Sequence, residues 1–289
     1  MIAMGVYDIT GSAINYAYDG DGVEADAAYD LAGNQIYIKG RPYPTSLTQL
    51  HSEAIATGQS CQGMATYGGY IFQFFSSVDK MKIYNQSDYS LVNEMDCTFI
   101  GHGNSFQFGD EAQANGFPLL YVTEGTNMYV VSVDLESISL ADTITLPSGV
   151  GYSTNAVINF DDREIYTVGY TASSVYDETG KYVFCVIDFD NPTEVLDTWQ
   201  EDYLGVMQGL VWNGTHVILN TNTYSGRDVK FYFINPTTKN IDYVYEQAKA
   251  LNSEYQGFSD EGDYYLVSKW IYLDVDSVST LFYQFFDLS

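Results

Sequence analysis

Five copies of a short motif constrain the fold of this chain more than any other feature. Each copy joins an amide or imidazole side chain to a small residue, and the copies start at positions 62, 102, 155, 208 and 256. A turn rich in Gly or Asp and an aromatic, strand-like segment follow each start. The starts are 40, 53, 53 and 48 residues apart. Because a repeat of this length that holds about four strands is typical of a propeller blade, we expect an all-β fold, a five-bladed β-propeller.

In the first repeat, β-branched and aromatic residues form short runs between turns, which predicts four strands. The later repeats follow the same order of strands and turns. In the fourth repeat, Asn213-Gly214 predicts a two-residue hairpin turn. The best helical candidate is the short segment 246–252. A pair of β-sandwiches is the alternative all-β interpretation. The strands predicted in the first repeat are 62–66, 70–75, 81–84 and 90–94.

The fifth repeat is one strand short. After its motif come strand-like segments at 264–268, 270–274 and 279–286, and no outer strand follows them. A spare strand-like segment, 47–55, precedes the first motif, in the position that an outer strand takes before every other motif. We therefore predict that 47–55 pairs with 279–286 and closes the ring, which removes the exposed edges of an open sheet.

A second repeat occupies the N-terminal region. The pattern Tyr-Asp-x-x-Gly begins at Tyr7, Tyr18 and Tyr29, at intervals of 11 residues. An Asp that caps the backbone and a Gly with positive φ predict turns, with short strands such as 13–18 and 35–39 beside them. Calcium binding by the turn at positions 19–21 is a weaker alternative.

So short a repeat unit buries little surface by itself, and we expect residues 1–40 to contact other proteins. Pro42 and Pro44 then predict a stiff connector. We divide the chain into an attachment module at 1–44 and a propeller at 45–289.

The charge balance excludes several classes of partner. The chain has 11 basic and 38 acidic residues, a net charge of −27 at pH 7. Nucleic acid and anionic membranes are disfavoured, because phosphate binding needs clustered Lys and Arg. No apolar run approaches the ~20 residues of a membrane span, and no secretion signal is visible, so we expect neither. The three cysteines show no paired spacing, which predicts buried thiols rather than disulfides or a zinc site.

The motif residues are the first candidates for a binding site. A strand that starts near the propeller axis places its first side chains at the central channel, where amide and imidazole groups both donate and accept hydrogen bonds. This chemistry suits sugar hydroxyls. The structural alternative is that Gly lets the backbones approach closely and that the amides join neighbouring blades. The candidate side chains belong to Gln62, His102, Asn155, Gln208 and Gln256.

Three tyrosines precede these motifs, namely Tyr152, Tyr203 and Tyr255. A tyrosine ring is apolar on its faces and polar at its tip, which makes it a suitable platform for a sugar. We therefore add the three tyrosines to the predicted glycan-binding surface.

Catalysis has little support in the sequence. The nucleophile pattern Gly-x-Ser-x-Gly and the metal pattern His-Glu-x-x-His are absent. A glycosidase needs two placed carboxylates, whereas the acidic pairs Asp161-Asp162 and Asp260-Glu261 fall in predicted hairpin turns. We expect a protein that is not an enzyme and that uses no cofactor, with a propeller glycosidase as an alternative.

Two groups of motifs carry a resemblance to phage proteins. The Tyr-Asp-x-x-Gly repeats of 7–33, with the segment 28–37, resemble the N-termini of tail and baseplate proteins from phages of gut bacteria. The starts Gln62-Gly63-Met64, Gln208-Gly209-Leu210 and Gln256-Gly257-Phe258 resemble propeller modules of phage tail receptor-binding proteins. The second and third repeats depart from Gln-Gly, so a strictly five-fold site is not implied.

The resemblance implies a structural protein of the virion, located in a phage tail or tail fibre in several copies. Residues 1–40 would dock to other virion proteins, and the propeller would bind a glycan or protein receptor on the host surface. The net charge favours a neutral glycan or a protein over a polyanion. A purely architectural virion protein, whose propeller contacts only other virion proteins, is the main alternative.

Overall fold

The structure is a computed structural model that describes residues 27–29, 35–38, 46–55, 59–222, 228–248, 253–261, 265–271 and 279–287. Strands dominate these residues, and they form five four-stranded antiparallel sheets and one two-stranded sheet. The prediction of an all-β fold is confirmed. Within the described ranges, no helix is long and apolar enough to span a membrane.

The two-stranded sheet comes first in the chain. Strand β1 (Ala27–Tyr29) pairs with β2 (Gln35–Ile38), so that Ala27 lies opposite Ile38. The strand predicted at 35–39 is therefore present. The Tyr-Asp-x-x-Gly turns at Tyr7 and Tyr18, the calcium alternative at 19–21 and the connector at 41–44 lie outside the described residues.

One long strand, β3 (Ser46–Ile55), precedes the four-stranded sheets. The first sheet holds β4 (Cys61–Tyr67), β5 (Tyr70–Phe75), β6 (Lys80–Asn85) and β7 (Leu91–Asp96). The second holds β8 (Ser105–Ala112), β9 (Pro118–Glu124), β10 (Asn127–Val133) and β11 (Ile138–Thr145). The third holds β12 (Tyr152–Asn159), β13 (Glu164–Tyr170), β14 (Tyr182–Asp188) and β15 (Val195–Glu201). The fourth holds β16 (Val206–Trp212), β17 (Val217–Asn222), β18 (Asp228–Ile234) and β19 (Ile241–Ala248).

The remaining sheet joins two distant parts of the chain. It contains β20 (Ser253–Asp260), β21 (Tyr265–Ile271), β22 (Ser279–Asp287) and, at its outer edge, β3. Ile55 lies opposite Ser279 and Leu47 opposite Phe286, which is the pairing that we predicted between 47–55 and 279–286. We predicted a separate strand at 270–274, but Trp270 and Ile271 belong to β21, where Trp270 lies opposite Leu281. Residues 272–274 lie outside the described ranges.

The sheets are arranged as the blades of a propeller, and we number them one to five in the order given above. Their first strands, β4, β8, β12, β16 and β20, contact one another at the centre. All six residues of β17 are buried, whereas β11 is largely exposed, so burial falls from the inner strands to the outer ones. Aromatic rings pack between blades, with centroid distances of 5.8 Å for Phe74–Phe106, 4.9 Å for Tyr166–Trp212 and 5.2 Å for Phe231–Phe258.

Two local predictions need correction. The turn at Asn213-Gly214 is part of a four-residue connection, because Trp212 pairs with Val217 and the Asn213 side chain accepts the amide of His216. The helix predicted at 246–252 is wrong where the structure describes it, since 246–248 belongs to β19; residues 249–252 lie outside the described ranges.

The prediction of buried thiols is confirmed. All three cysteines are free and buried, and burial raises the pKa of both Cys61 and Cys97 to about 12. The thiols of Cys61 and Cys97 therefore stay protonated and unreactive at neutral pH.

Candidate functional site

The repeated motif forms β-bulges in the inner strands. In β4, Cys61 lies opposite Phe75 and Met64 opposite Gln73, so two residues of β4 share the space opposite one residue of β5. The same kind of register shift occurs at the motif in β12, β16 and β20. A β-bulge changes the direction of its side chain and interrupts the hydrogen bonds between the two strands. The motif therefore places a polar side chain at an irregular point in each of these inner strands.

Glycine is required where the inner strands meet. A Cβ atom on Gly63 would lie 1.8 Å from the Phe106 ring, and one on Gly257 would lie 2.7 Å from the Gln62 carbonyl oxygen. The Gly63 amide donates to the Gly103 carbonyl at 3.0 Å across blades one and two. The structural alternative that we stated for the motif, close approach of backbones at the axis, is therefore observed.

Each inner strand has one amide at or near its start, and we call these five amides the axial amide cluster. Four of the predicted residues belong to it and are buried, with 4, 1, 7 and 2% exposure for Gln62, Asn155, Gln208 and Gln256. Ser105 Oγ donates to Asn155 Oδ1 at 3.0 Å, which joins blades two and three. The fifth member is Asn104, a residue that sequence reasoning missed although it stands two positions after the predicted His102.

His102 precedes β8 and is exposed. Its backbone amide donates to Glu124 Oε1 at 3.0 Å. Desolvation lowers the pKa of its imidazole, while the Glu124 and Glu254 carboxylates act in the opposite direction. His102 is thus exposed, whereas the other four predicted motif side chains are buried.

The three predicted tyrosines have different environments. Tyr152 is 54% exposed, whereas Tyr255 is only 1% exposed and offers no ring face to a ligand. The Tyr255 carbonyl accepts the side-chain amides of Asn220 and Asn222 at 3.1 and 3.2 Å. Tyr203 is partly buried, and its hydroxyl donates to the Val175 carbonyl at 3.1 Å. Tyr255 is therefore a core residue, and the prediction that it belongs to an exposed sugar-binding surface is wrong.

Tyr152 lines an open groove of about 660 Å³ on blade three, which we call the Tyr152 groove. None of its eleven lining residues is charged, although the chain carries 38 acidic residues. Tyr170 forms part of the wall, and the Tyr203 ring packs behind it at 5.8 Å. Hydroxyl and amide side chains also line the groove, from Ser148, Thr171, Ser173, Thr198 and Gln200.

The loop that forms one side of the groove is held in a fixed shape. Residues Ser148–Val150 form a 3-10 turn, and Gly151 follows with a φ of 93°. A Cβ atom on Gly151 would lie 2.6 Å from the Tyr170 amide nitrogen, so the close approach requires glycine. Thr154 Oγ1 donates to the Gly151 carbonyl at 3.2 Å. The groove is therefore built by the blade and needs no ligand to form it.

A second cavity of about 220 Å³ lies between the opposite ends of the inner strands and is lined by all five of them. Asp260 is the one acidic residue among the described residues that line it. Glu261 follows, accepts the Gln86 side chain at 2.9 Å and bonds to Thr66, and burial raises the pKa of this carboxyl group. The pair of lining carboxylates that a glycosidase needs is not seen among those residues.

In the part of the chain that the structure describes, no three His, Cys, Asp or Glu residues form a group able to hold a metal ion. Among the described residues, the Tyr152 groove and the axial amide cluster are two features whose uncharged polar groups suit a ligand.

No protein-family model and no curated protein matches the sequence. Solved structures do match the fold. The glutaminyl cyclase of Myxococcus xanthus aligns with a TM-score of 0.51 and 14% identity over 84% of this chain and 97% of that one. The PQQ-bound aldose sugar dehydrogenase of Streptomyces coelicolor aligns with a TM-score of 0.50 and 9% identity over 84% of this chain and 100% of that one. At these identities the likeness shows the fold alone, and the chain is a β-propeller protein.

Proposed function

We propose that this protein binds a neutral glycan in the Tyr152 groove and serves as a receptor-binding protein of a phage tail or tail fibre. The observation that carries the binding role is the lack of charge in this groove on a chain of net charge −27. A groove free of carboxylates on such a surface favours a ligand that is itself uncharged and rich in hydroxyl groups.

The polar groups of the groove match the chemistry of a sugar. Ser, Thr and Tyr hydroxyls both donate and accept hydrogen bonds, and the Gln200 amide does both as well. The exposed Tyr152 ring supplies an apolar face against which the C–H groups of a pyranose pack. Burial raises the pKa of Tyr203 to about 12, so the ring behind the wall stays neutral.

The phage context rests on the motif resemblance and on the two-part organisation of the chain. In this proposal residues 1–40 attach to other virion proteins, and the five blades present the groove to the host surface. Single sugar contacts are weak, and several copies per particle would raise the avidity by about 10²- to 10⁴-fold. The propeller then acts as a binding module without turnover.

One observation favours the architectural alternative. The outer strand of every blade carries an exposed aliphatic side chain, and such side chains suit lateral contacts with other proteins. Their exposures are 54% for Leu91, 43% for Leu140, 49% for Leu196, 41% for Val244 and 43% for Leu50.

A glycan array probed with a multivalent form of the protein tests the binding role. We expect neutral oligosaccharides to be retained and the signal to be lost in Tyr152→Ala and reduced in Gln200→Ala. Tyr176→Ala is the matched control, because Tyr176 is 55% exposed on the same blade and does not line the groove. Absence of binding to arrays and to host envelope extracts would favour the architectural role, and turnover of a glycan would indicate an enzyme.

A further inference from the structure

The axial amide cluster contains buried oxygen atoms that no protein group satisfies. Gln62 Oε1, Asn104 Oδ1 and Gln256 Oε1 have no hydrogen-bond partner. Gln62 and Gln256 are only 4% and 2% exposed. Because nearly all buried polar atoms in native proteins have a partner, these three acceptors indicate an occupant that supplies positive charge or donor hydrogens.

The three amides start from neighbouring points at the axis. A Cβ atom on Gly209 would lie 3.1 Å from the Gln256 carbonyl oxygen and 3.5 Å from that of Asn104. A Cβ atom on Gly257 would lie 2.7 Å from the Gln62 carbonyl oxygen. Backbone carbonyl oxygens of blades one, two and five therefore lie close together, and an unpartnered side-chain oxygen branches from each of these residues.

The orientation of the amides supports an acceptor site. Gln256 Nε2 donates to Glu254, and this bond fixes which end of the amide is the oxygen. Asn155 Oδ1 accepts from Ser105 Oγ, and its Nδ2 has no partner. Since a hydroxyl group accepts as readily as it donates, rotation of the Asn155 amide would keep the bond to Ser105 and present a fourth oxygen.

We infer that the axial amide cluster binds a hard cation, Na⁺ or Ca²⁺, through neutral amide oxygens contributed by blades one, two and five. Oxygen ligands select such cations, whereas Zn²⁺ prefers the His and Cys groups that form no such site among the described residues. The Glu254 carboxylate beside Gln256 adds negative potential at the same place. The cation would link the three inner strands where the blades meet.

Thermal unfolding of the whole chain after dialysis against chelator tests this inference. NaCl, CaCl2 and choline chloride are added at matched ionic strength, because a chain of net charge −27 gains stability from any salt. We expect Na⁺ or Ca²⁺ to raise the Tm by several degrees above the choline series. The two salts distinguish the two cations, and elemental analysis of protein purified without chelator gives the bound species.

Two substitutions make the test specific to the cluster. Gln62→Leu removes a ligand and should abolish the cation-dependent shift in Tm. Gln62→Glu supplies a charged ligand and should lower the midpoint of the Ca²⁺ response about tenfold, since charge count sets the affinity of calcium sites. If the Leu variant fails to fold, the Glu variant still carries the test.

The exposed amide of Gln113 on blade two provides the controls Gln113→Leu and Gln113→Glu. These variants should respond to cations as the wild type does. Equal Tm shifts with choline and with both cations, or equal responses of Gln62→Glu and Gln113→Glu, would overturn the inference and assign ordered water to the cluster.

Discussion

At the residue scale, Gln73 shows how one buried amide supports an inner strand. The side chain is fully buried in β5, and its Nε2 lies 3.1 Å from the carbonyl oxygens of both Gln62 and Gly63. Those carbonyls belong to the bulge of β4, where the ladder leaves backbone groups without strand partners. The Gln73 side chain thus supplies the hydrogen-bond donor for the carbonyl groups of the bulge, which explains an amide in this otherwise apolar strand.

Replacing Gly63 by Ala tests the crowding at the axis. The new Cβ would overlap the Phe106 ring at 1.8 Å and the Gly103 carbonyl oxygen at 2.8 Å. We expect the free energy of unfolding to fall by about 2 kcal/mol or more, as overpacked cores show. Gly149→Ala is the control, because nothing lies within 4 Å of its Cβ position. Equal denaturant midpoints for the two variants would contradict the packing described here.

A buried histidine should make the stability depend on pH. His216 is 2% exposed, and its Nε2 lies 3.1 Å from Asp242 Oδ2. Burial lowers the pKa of its imidazole below the usual 6.5, so the unfolded chain takes up the proton more readily. Stability should therefore fall as the pH drops below about 6.5, by up to about 1.4 kcal/mol per pH unit.

Urea titrations between pH 7.5 and 5.5 measure this effect. His216→Gln should flatten the profile over that range. His102→Gln, at an exposed position whose pKa is also lowered, should change the slope less. A wild-type profile with no slope below pH 6.5 would refute the role of His216.

At the element scale, strands and blade order could be predicted from the sequence because each blade repeats the same apolar runs and turns. Strand β5 begins and ends where we predicted, at Tyr70 and Phe75. Residues 246–248 of the helical candidate form a strand because pairing with β18 outweighs the helix propensity of Glu and Ala. The pairing of β3 with β22 was predictable from a surplus strand at one end and a deficit at the other.

The site was harder to predict, since a bulge shifts the alternation of inward and outward side chains. Tyr255 stands next to the bulge of β20 and is directed inward, whereas Tyr152 opens β12 and is exposed. The same residue type before the same motif thus has opposite exposure. Asn104 was missed because the second blade places its motif before β8 and has its register shift later, between Phe108 and Ala112.

Truncation tests the contribution of β3. Removal of residues 1–44 keeps β3 intact and should leave the propeller folded. Removal of residues 1–56 deletes β3 and exposes the edge of β22, which should lower the Tm by several degrees and promote aggregation. Equal Tm values for the two truncated proteins would show that β3 does not close the ring.

At the scale of the whole molecule, the net charge of −27 bears on the proposed binding to a host surface. If the proposed receptor lies on an anionic envelope, the long-range field would oppose the encounter, while the uncharged Tyr152 groove would permit the short-range contact. Binding through this groove should not depend on ionic attraction.

The salt dependence of association follows from this charge. Raising NaCl from about 20 to about 150 mM shortens the Debye length from roughly 20 Å to roughly 8 Å, which weakens the repulsion. We expect the association rate on immobilised host envelope material to rise with salt. A rate that falls steeply with salt would indicate attraction to a cationic partner instead.

The central claim is that the Tyr152 groove recognises a neutral glycan, and its most direct test compares two tyrosine variants. Surface plasmon resonance would measure the binding of the multivalent wild type, Tyr152→Ala and Tyr176→Ala to the oligosaccharide retained by the array. We predict an apparent affinity about tenfold lower for Tyr152→Ala, equivalent to roughly 1.4 kcal/mol of apparent binding free energy, and no change for Tyr176→Ala. Equal affinities for the two variants, with both folded by circular dichroism, would contradict the claim.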